Sequence, residues 1–337
     1  MNQLEMWQAD SFNSDVIERE LGWAASFGLN SVRVYLHDLL WEQDGEGFLQ
    51  RIDTFLTIAA AHGISTVLVF FDDCWHDFAR LGPQPAPVPG LHNSRWAMSP
   101  GTAALRDRAQ WSRLEVYVRS VVKAFANDAR VILWDIYNEV CNRFMQNIHA
   151  PWYQRLPANA RHYLGQILTR GPAERLMIEA FAWARSEAPS QPLTAPVYWN
   201  FPRLNQVLVA ESDVISFHHY EDATDLERQI SDLALHGRPL VCTEWLSRPQ
   251  SAFATHLPVF RQHGVSSYCW GLVAGKTNTR WGWSNPPGTT TEPEPWFHDL
   301  LHADGTPYCA REQELARAEG LNSNSGGDMG AQSRVDN

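Results

Sequence analysis

The sequence predicts an α/β chain folded as a (β/α)8 TIM barrel whose first strand is missing or degenerate. Three observations predict it. An amphipathic helical stripe, often closed by a glycine, and then a short β-branched run recur along the chain. The runs are continuously apolar rather than alternating, as in parallel strands covered on both faces. Polar and aromatic residues gather just past the run ends, at His37-Asp38, Asp72-Asp73, Asn138-Glu139, Trp199-Asn200, His219-Tyr220 and Glu244-Trp245. That is the rim on which barrel active sites are built. A doubly wound open sheet also alternates β and α, but no GxGxxG or GxxxxGK[ST] loop follows any strand.

The elements follow in order. Val16/Ile17, Leu21 and Ala24 keep helical spacing up to Gly28, and a strand over Asn30–Leu36 follows. Phe48, Ile52, Phe55, Leu56 and Ala59 form the next stripe, ended by Gly63 before the strand Ser65–Phe71. A glycine just past a helix suits the left-handed position there. Leu114, Val118, Val121 and Phe125 precede Val131–Ile136, and a helix opened by Gly171-Pro172 precedes Leu193–Tyr198. Val214–His218, Pro239–Thr243 and Val265–Trp270 complete seven strands. Before the first helix only QLEMW, at residues 3–7, is a strand candidate, and a poor one. The long stretches Asp72–Ala104, Val140–Gly171 and Leu272–Glu294 all follow strands and are expected on the catalytic face.

A length of 337 residues suits one large barrel, here taken as residues 1–317 with a Ser/Asn/Gly-rich disordered tail over 318–337. The 44% hydrophobic and 19% charged content excludes a disordered or collagen-like chain. A net charge of −11 argues against a nucleic-acid partner. No apolar run approaches the roughly 18 residues of a membrane span, so no membrane partner is expected. Five cysteines without CxxC spacing indicate neither a disulfide framework nor a zinc site. The opening MNQLEMWQAD has no basic or apolar leader region, which predicts a cytoplasmic protein, although an absent first strand would take any leader with it. Fifteen tryptophans suggest a cleft lined with flat aromatic surface. Trp23, Trp111 and Trp183 fall on helices and read as packing, whereas Trp75, Trp96, Trp152, Trp199, Trp281 and Trp283 fall on the rim, with Trp199 and Trp281 taken as sugar contacts.

Two carboxylates end apolar runs: Glu139 after VILWDIYN and Glu244 after LVCT. An ionised carboxylate beside an apolar core is costly unless paired or functional. With a first strand counted they lie on the fourth and seventh strands, facing each other across the mouth. Glycoside cleavage needs such a pair, one acid to protonate the leaving oxygen and one carboxylate to attack the anomeric carbon or activate water. The bland alternative is a salt bridge capping the barrel. Asn138 before one carboxylate, and His218-His219-Tyr220 on the strand between, favour the chemical reading.

WDIYNE at Trp134–Glu139 resembles the acid/base motif of the retaining (β/α)8 clan typified by glycoside hydrolase family 5, the cellulase and mannanase family. CTEW at Cys242–Trp245 is similar to that clan's nucleophile strand, and HHY at His218–Tyr220 to its His-x-Tyr element. Arg33 in SVRV and Trp270 in YCWGL resemble the second-strand Arg and the eighth-strand Trp under the sugar. The resemblance spans about Asn30 to Leu272 and points to a divergent branch. It implies Glu139 as general acid/base and Glu244 as nucleophile. Asn138 would hold a sugar 2-OH, while Tyr220 would hydrogen-bond Glu244 and Arg33 would keep it ionised. Family members usually carry a His at the end of the third strand, where this chain has Phe70-Phe71-Asp72-Asp73, so Asp72 or His37 is expected to serve there.

To act as an acid, Glu139 is expected to hold its proton near neutral pH, helped by burial and by the charge of Glu244. A metal site from His37, Asp72, Asp73, His218 and His219 lacks His-x-His or HExxH spacing, and neighbouring strand histidines point to opposite faces. His218 is therefore assigned to the site and His219 to the frame, with no metal or organic cofactor. The expected function is a retaining β-glycoside hydrolase acting on β-linked oligo- or polysaccharide of glucan, mannan or xylan type. The alternative from another class is a carbohydrate-binding barrel without catalysis. Sugar, linkage, exo or endo action and oligomeric state stay open.

Overall fold

The computed structural model describes residues 2–77, 79–143, 156–198 and 201–325. Among them seven parallel strands alternate with helices. β1 (Ser31–Tyr35), β2 (Ser65–Asp72), β3 (Val131–Asn138) and β4 (Leu193–Thr194) form one ladder in that order. β5 (Ile215–His219), β6 (Leu240–Trp245) and β7 (Ser266–Cys269) form a second. A parallel bridge between Val197 and Phe217 joins the two. The predicted strands match this set to within a few residues at each end. β2 is buried along nearly its whole length, as its continuous apolar run requires.

The helices cover the sheet with the expected stripes. In α2 (Ser14–Phe27), Ile17, Leu21, Ala24 and Phe27 are buried, and Gly28 ends the helix at φ +112°. A side chain there would also strike the backbone of Arg317, so only glycine fits. α3 (Asp38–Ala61) buries Phe48, Ile52, Phe55, Leu56 and Ala59. Between β2 and β3 lie the short α4 (Thr102–Arg106) and α5 (Trp111–Phe125), which buries Leu114, Val118, Val121, Val122 and Phe125. Trp111 is buried with its indole donating to the Leu105 carbonyl, so its packing role stands.

Three expectations change. QLEMW is a helix, α1 (Gln3–Trp7), because the Asn2 side chain accepts the Glu5 N–H and Leu4 and Trp7 are buried together at helical spacing. The Trp7 indole donates to the Tyr35 carbonyl at 2.8 Å, seating α1 at the end of β1. Next, the helix before β4 does not open at Gly171-Pro172. α6 (Ala158–Ser186) starts earlier and carries Pro172 within it, so part of the expected long loop is helical. Last, α10 (Ala310–Ser325) runs past residue 317, where Ala318 and Glu319 extend its run of helix formers. The intervening helices are α7 (Pro202–Glu211), α8 (Ala223–Ala234) and α9 (Phe253–His263). None of the described helices is long and apolar enough to cross a membrane.

No backbone ladder joins β1 to β7 among the described residues. They meet through a hydrogen bond of 2.8 Å between the Ser31 and Tyr268 hydroxyls. Beside this seam lies a cavity of about 330 Å³, bounded by Ile17, Leu21, Val32, Tyr35 and Trp270.

Candidate active site

Strand register assembles the site. Asp72 lies beside Asn138 across the β2–β3 ladder, and His218 lies beside Glu244 across β5–β6. Glu139 follows β3 in a left-handed conformation, φ +44°, and Cys141 does the same at +75°. Such backbone is costly for residues with a side chain and persists where its surroundings hold it. Asp73 does the holding. Its carboxylate accepts the Cys141 N–H at 2.8 Å and the Tyr137 hydroxyl at 2.6 Å, and it pairs with the fully buried Arg143 at 2.5 Å.

Glu244, buried at the end of β6, is surrounded by donors. Arg33 Nη1 at 2.8 Å and the Tyr35 hydroxyl at 2.7 Å reach Oε1, and the Tyr220 hydroxyl reaches Oε2 at 2.8 Å. Arg33 is the hub. It also pairs with Asp135 at 2.7 Å and donates to Asn138 Oδ1 at 2.7 Å. Burial works against its charge, but Asp135, Tyr35 and Glu244 together raise its pKa well above the usual guanidinium value. Burial raises Asp135 in turn, partly offset by Arg33.

Glu139 meets a different set. His218 Nδ1 lies 2.8 Å from Oε1, while the Cys74 thiol at 2.9 Å and the Asn142 amide both donate to Oε2. Burial pushes its pKa up, but these donors outweigh it and hold the carboxyl below the usual range. The expectation that burial and Glu244 keep Glu139 protonated therefore fails here: donors converging on both oxygens favour its charged form.

Asp72 takes the place where a His was expected. It accepts from Asn138 Nδ2 at 3.0 Å, Trp96 Nε1 at 2.6 Å and the Cys74 N–H at 3.0 Å. Burial lifts it to about 7 against those bonds. Three donors thus occupy its carboxylate, and it orients Asn138 rather than presenting itself to a ligand.

His37 is taken up by other partners. Fully buried, it accepts the Leu39 N–H at 3.2 Å to cap α3, and its Nε2 bonds the Met98 carbonyl at 3.0 Å. Both ring nitrogens are used, so the expected sugar-binding role does not hold. Trp281 is also corrected. It is buried, and the Arg280 guanidinium lies 3.9 Å from its ring centre, covering a face a sugar would need. Trp283 is half exposed instead, with its ring 5.0 Å edge-on from Tyr220. Trp270 is partly buried beside Tyr35 and Trp96, at 5.6 and 5.2 Å between rings. His219 bonds Gln229 and the Asp222 carbonyl, away from His218. Trp199, with Trp152 of the same rim group, lies outside the described residues.

The sequence reading passed over Tyr35, Cys74, Asp135 and Asn142, and it placed Trp96 on the rim without its partner Asp72. Tyr35 was within reach, since strand alternation puts it on the face of Arg33 two residues earlier. Asp135, a carboxylate in the middle of an apolar strand, was also signalled. Cys74, Trp96 and Asn142 sit on connections with no period to read.

One oxygen each of Glu139 and Glu244 and one nitrogen of His218 lie within 4.8 Å of one another. That grouping could hold a metal ion by distance. The donor set fits poorly, because Arg33, Tyr35 and Tyr220 already occupy the lone pairs of Glu244 and one of them is a cation. One oxygen of each glutamate lies within 4.8 Å of the other, an approach that suits the roughly 5–5.5 Å carboxyl spacing of retaining glycosidases better than the roughly 6.5–9.5 Å of inverting ones.

Solved structures share the fold. The GH5_18 protein from Streptomyces cattleya, in complex with GlcNAc, superposes with a TM-score of 0.60 at 14% identity over 98% of this chain and 78% of that one. The endo-β-1,4-mannanase from Thermotoga petrophila gives 0.57 at 15% identity over 94% and 75%. Bacteroides uniformis β-glucuronidase 2 gives 0.54 at 15% identity over 91% of this chain, which spans only 33% of that larger protein. No curated protein matches by sequence. The family model described as Cellulase (glycosyl hydrolase family 5) matches residues 8–275, and with most of its length and its barrel strands inside that match the chain belongs to glycosyl hydrolase family 5.

Proposed function

We propose that this family 5 glycoside hydrolase cleaves β-linked oligo- or polysaccharide of glucan, mannan or xylan type with retention. Glu244 is the nucleophile and Glu139 the general acid/base. The observation that carries the reading is the close pair of carboxylates in unlike surroundings. Glu244 attacks the anomeric carbon through Oε2, the oxygen nearer His218, while Arg33 and Tyr35 anchor Oε1. The leaving oxygen takes its proton from Glu139. Water then attacks the glycosyl–Glu244 ester as Glu139 recovers a proton. His218, 2.8 Å from Glu139, supports proton supply in the first half, and the donors around Glu139 favour the carboxylate needed in the second. Asn138 is clamped between Arg33 and Asp72, and its second amide hydrogen, which rests weakly on the Cys74 sulfur at 3.7 Å, is the one a sugar hydroxyl would take over.

Two of the fold neighbours are an exo-β-1,4-mannosidase from Opitutaceae bacterium strain TAV5 and the mannanase above, so manno-configured substrates head the panel. The test is hydrolysis of aryl β-glycosides and oligosaccharides with Glu244→Ala as the blank and the product anomer read by NMR. Glu139→Ala should slow poor leaving groups by about 10²–10⁴-fold and activated aryl groups far less. Equal losses on both would remove the acid/base assignment. Inverted product would remove double displacement, and sugar binding without turnover by wild type would favour the non-catalytic barrel.

A further inference from the structure

We infer that Cys74 is a positioning residue for the general acid/base: its thiol donates to Glu139 Oε2 and, through its sulfur, ties that carboxyl to Asn138 and Asn142. The inference rests on the roles proposed for Glu139 and Asn138. Cys74 follows β2 on a connection held by its own N–H to Asp72 Oδ1, the carboxylate that also grips Asn138. Its sulfur lies 2.9 Å from Glu139 Oε2. The amides of Asn138 and Asn142 approach the same sulfur at 3.7 and 3.8 Å, within reach as weak donors.

Those two amides settle the direction of the S–H. They occupy the acceptor side of the sulfur, which leaves the thiol proton pointing at Glu139. Only 6% of Cys74 is exposed, and burial, with Glu139 and Asp72 nearby, pushes its pKa well up, so it stays a neutral thiol. A thiol both donates and accepts through one atom. It donates to Glu139 as carboxylate and, once its S–H turns away and one of the weak amide contacts is given up, can accept from it as carboxylic acid, the two states an acid/base must pass between. The Asn142 amide nitrogen only donates. Cys74 also links the sugar-binding amide to the acid/base, so that a ligand pulling on Asn138 is felt at Glu139.

Removing a donor to a carboxylate favours its protonated form, so Cys74→Ala should raise the proton affinity of Glu139. The basic limb of kcat/KM on a poor-leaving-group glycoside should then move to higher pH by roughly half a unit to one unit. Cys74→Ser keeps a donor in the same place and should leave the limb near wild type. The carboxyl ¹³C titration of Glu139, identified by its loss in Glu139→Gln, should shift the same way in Cys74→Ala without any substrate present. An unmoved titration in folded Cys74→Ala overturns the inference, as does a Cys74→Ser variant displaced as far as the Ala variant. A moved titration with an unmoved rate profile supports the contact and overturns the acid/base role assigned to Glu139.

Discussion

Tyr35→Phe removes one hydroxyl, which lies between Arg33 and Glu244. The ring is buried and edge-on to Trp96 and Trp270, at 5.0 and 5.6 Å, and a phenyl ring keeps both contacts. What goes is a donor 2.7 Å from Glu244 Oε1 and, with it, an acceptor for Arg33 Nη1, which keeps its bond to the same Glu244 oxygen. A hydrogen bond to a charged group contributes about 1.5–3 kcal/mol, and the lower end applies because Arg33 stays on the same oxygen. At 1.36 kcal/mol per tenfold, kcat/KM should fall about ten- to thirtyfold. The assay is initial rates on the best aryl glycoside, beside Tyr220→Phe, which strips Oε2 instead, with thermal unfolding as the control for folding. If Tyr35→Phe stays within about twofold of wild type while Tyr220→Phe is impaired, anchoring of Oε1 contributes nothing to the transition state and the assigned geometry of attack is wrong.

Other expectations follow from the same framework. Burial lifts Asp299 from 3.8 to about 6, with only Thr279 bonding its Oδ1 and no partner for Oδ2 among the described residues. The folded protein holds that proton more tightly than the unfolded chain, so Asp299 costs stability progressively as pH rises through this window, by up to about 3 kcal/mol above it. Urea midpoints measured at pH 4, 5, 6 and 7 should show this slope in wild type and lose it in Asp299→Asn. Arg143→Met leaves Asp73 buried without its cation and should cost about 3–5 kcal/mol by urea unfolding. The turn carrying Glu139 and Cys141 depends on Asp73, so kcat should fall as well. Trp283→Ala should raise KM for oligosaccharides about five- to thirtyfold while leaving small aryl substrates little changed. Equal effects on both substrates would place Trp283 in packing alone.

Much of the site was legible because it lies on strands. Arg33, Asn138, His218, Tyr220 and Glu244 occupy strands or their ends, where alternation and the end of an apolar run mark where a side chain goes. The errors fall on residues whose partners are far away in sequence. His37 follows a strand end, as an active-site residue would, yet its ring is taken by Leu39 and by Met98 from a distant loop. Trp281 and Trp283 are two residues apart in a connection without period, and only Arg280 over one of them decides which is left half exposed. QLEMW is too short for its pattern to separate strand from helix, and Asn2 settled the matter.

The chain's apolar periods determined by themselves that strands and helices alternate and that two glutamates emerge at strand ends, since both depend on local spacing. The tertiary structure decided which donors reach each glutamate. A carboxyl's proton affinity depends on the donors that other strands and loops bring within about 3 Å. Arg33 and Tyr35 come to Glu244 from β1, and Cys74 comes to Glu139 from the connection after β2. No spacing along one segment records those meetings, because the folding of distant segments against each other creates them.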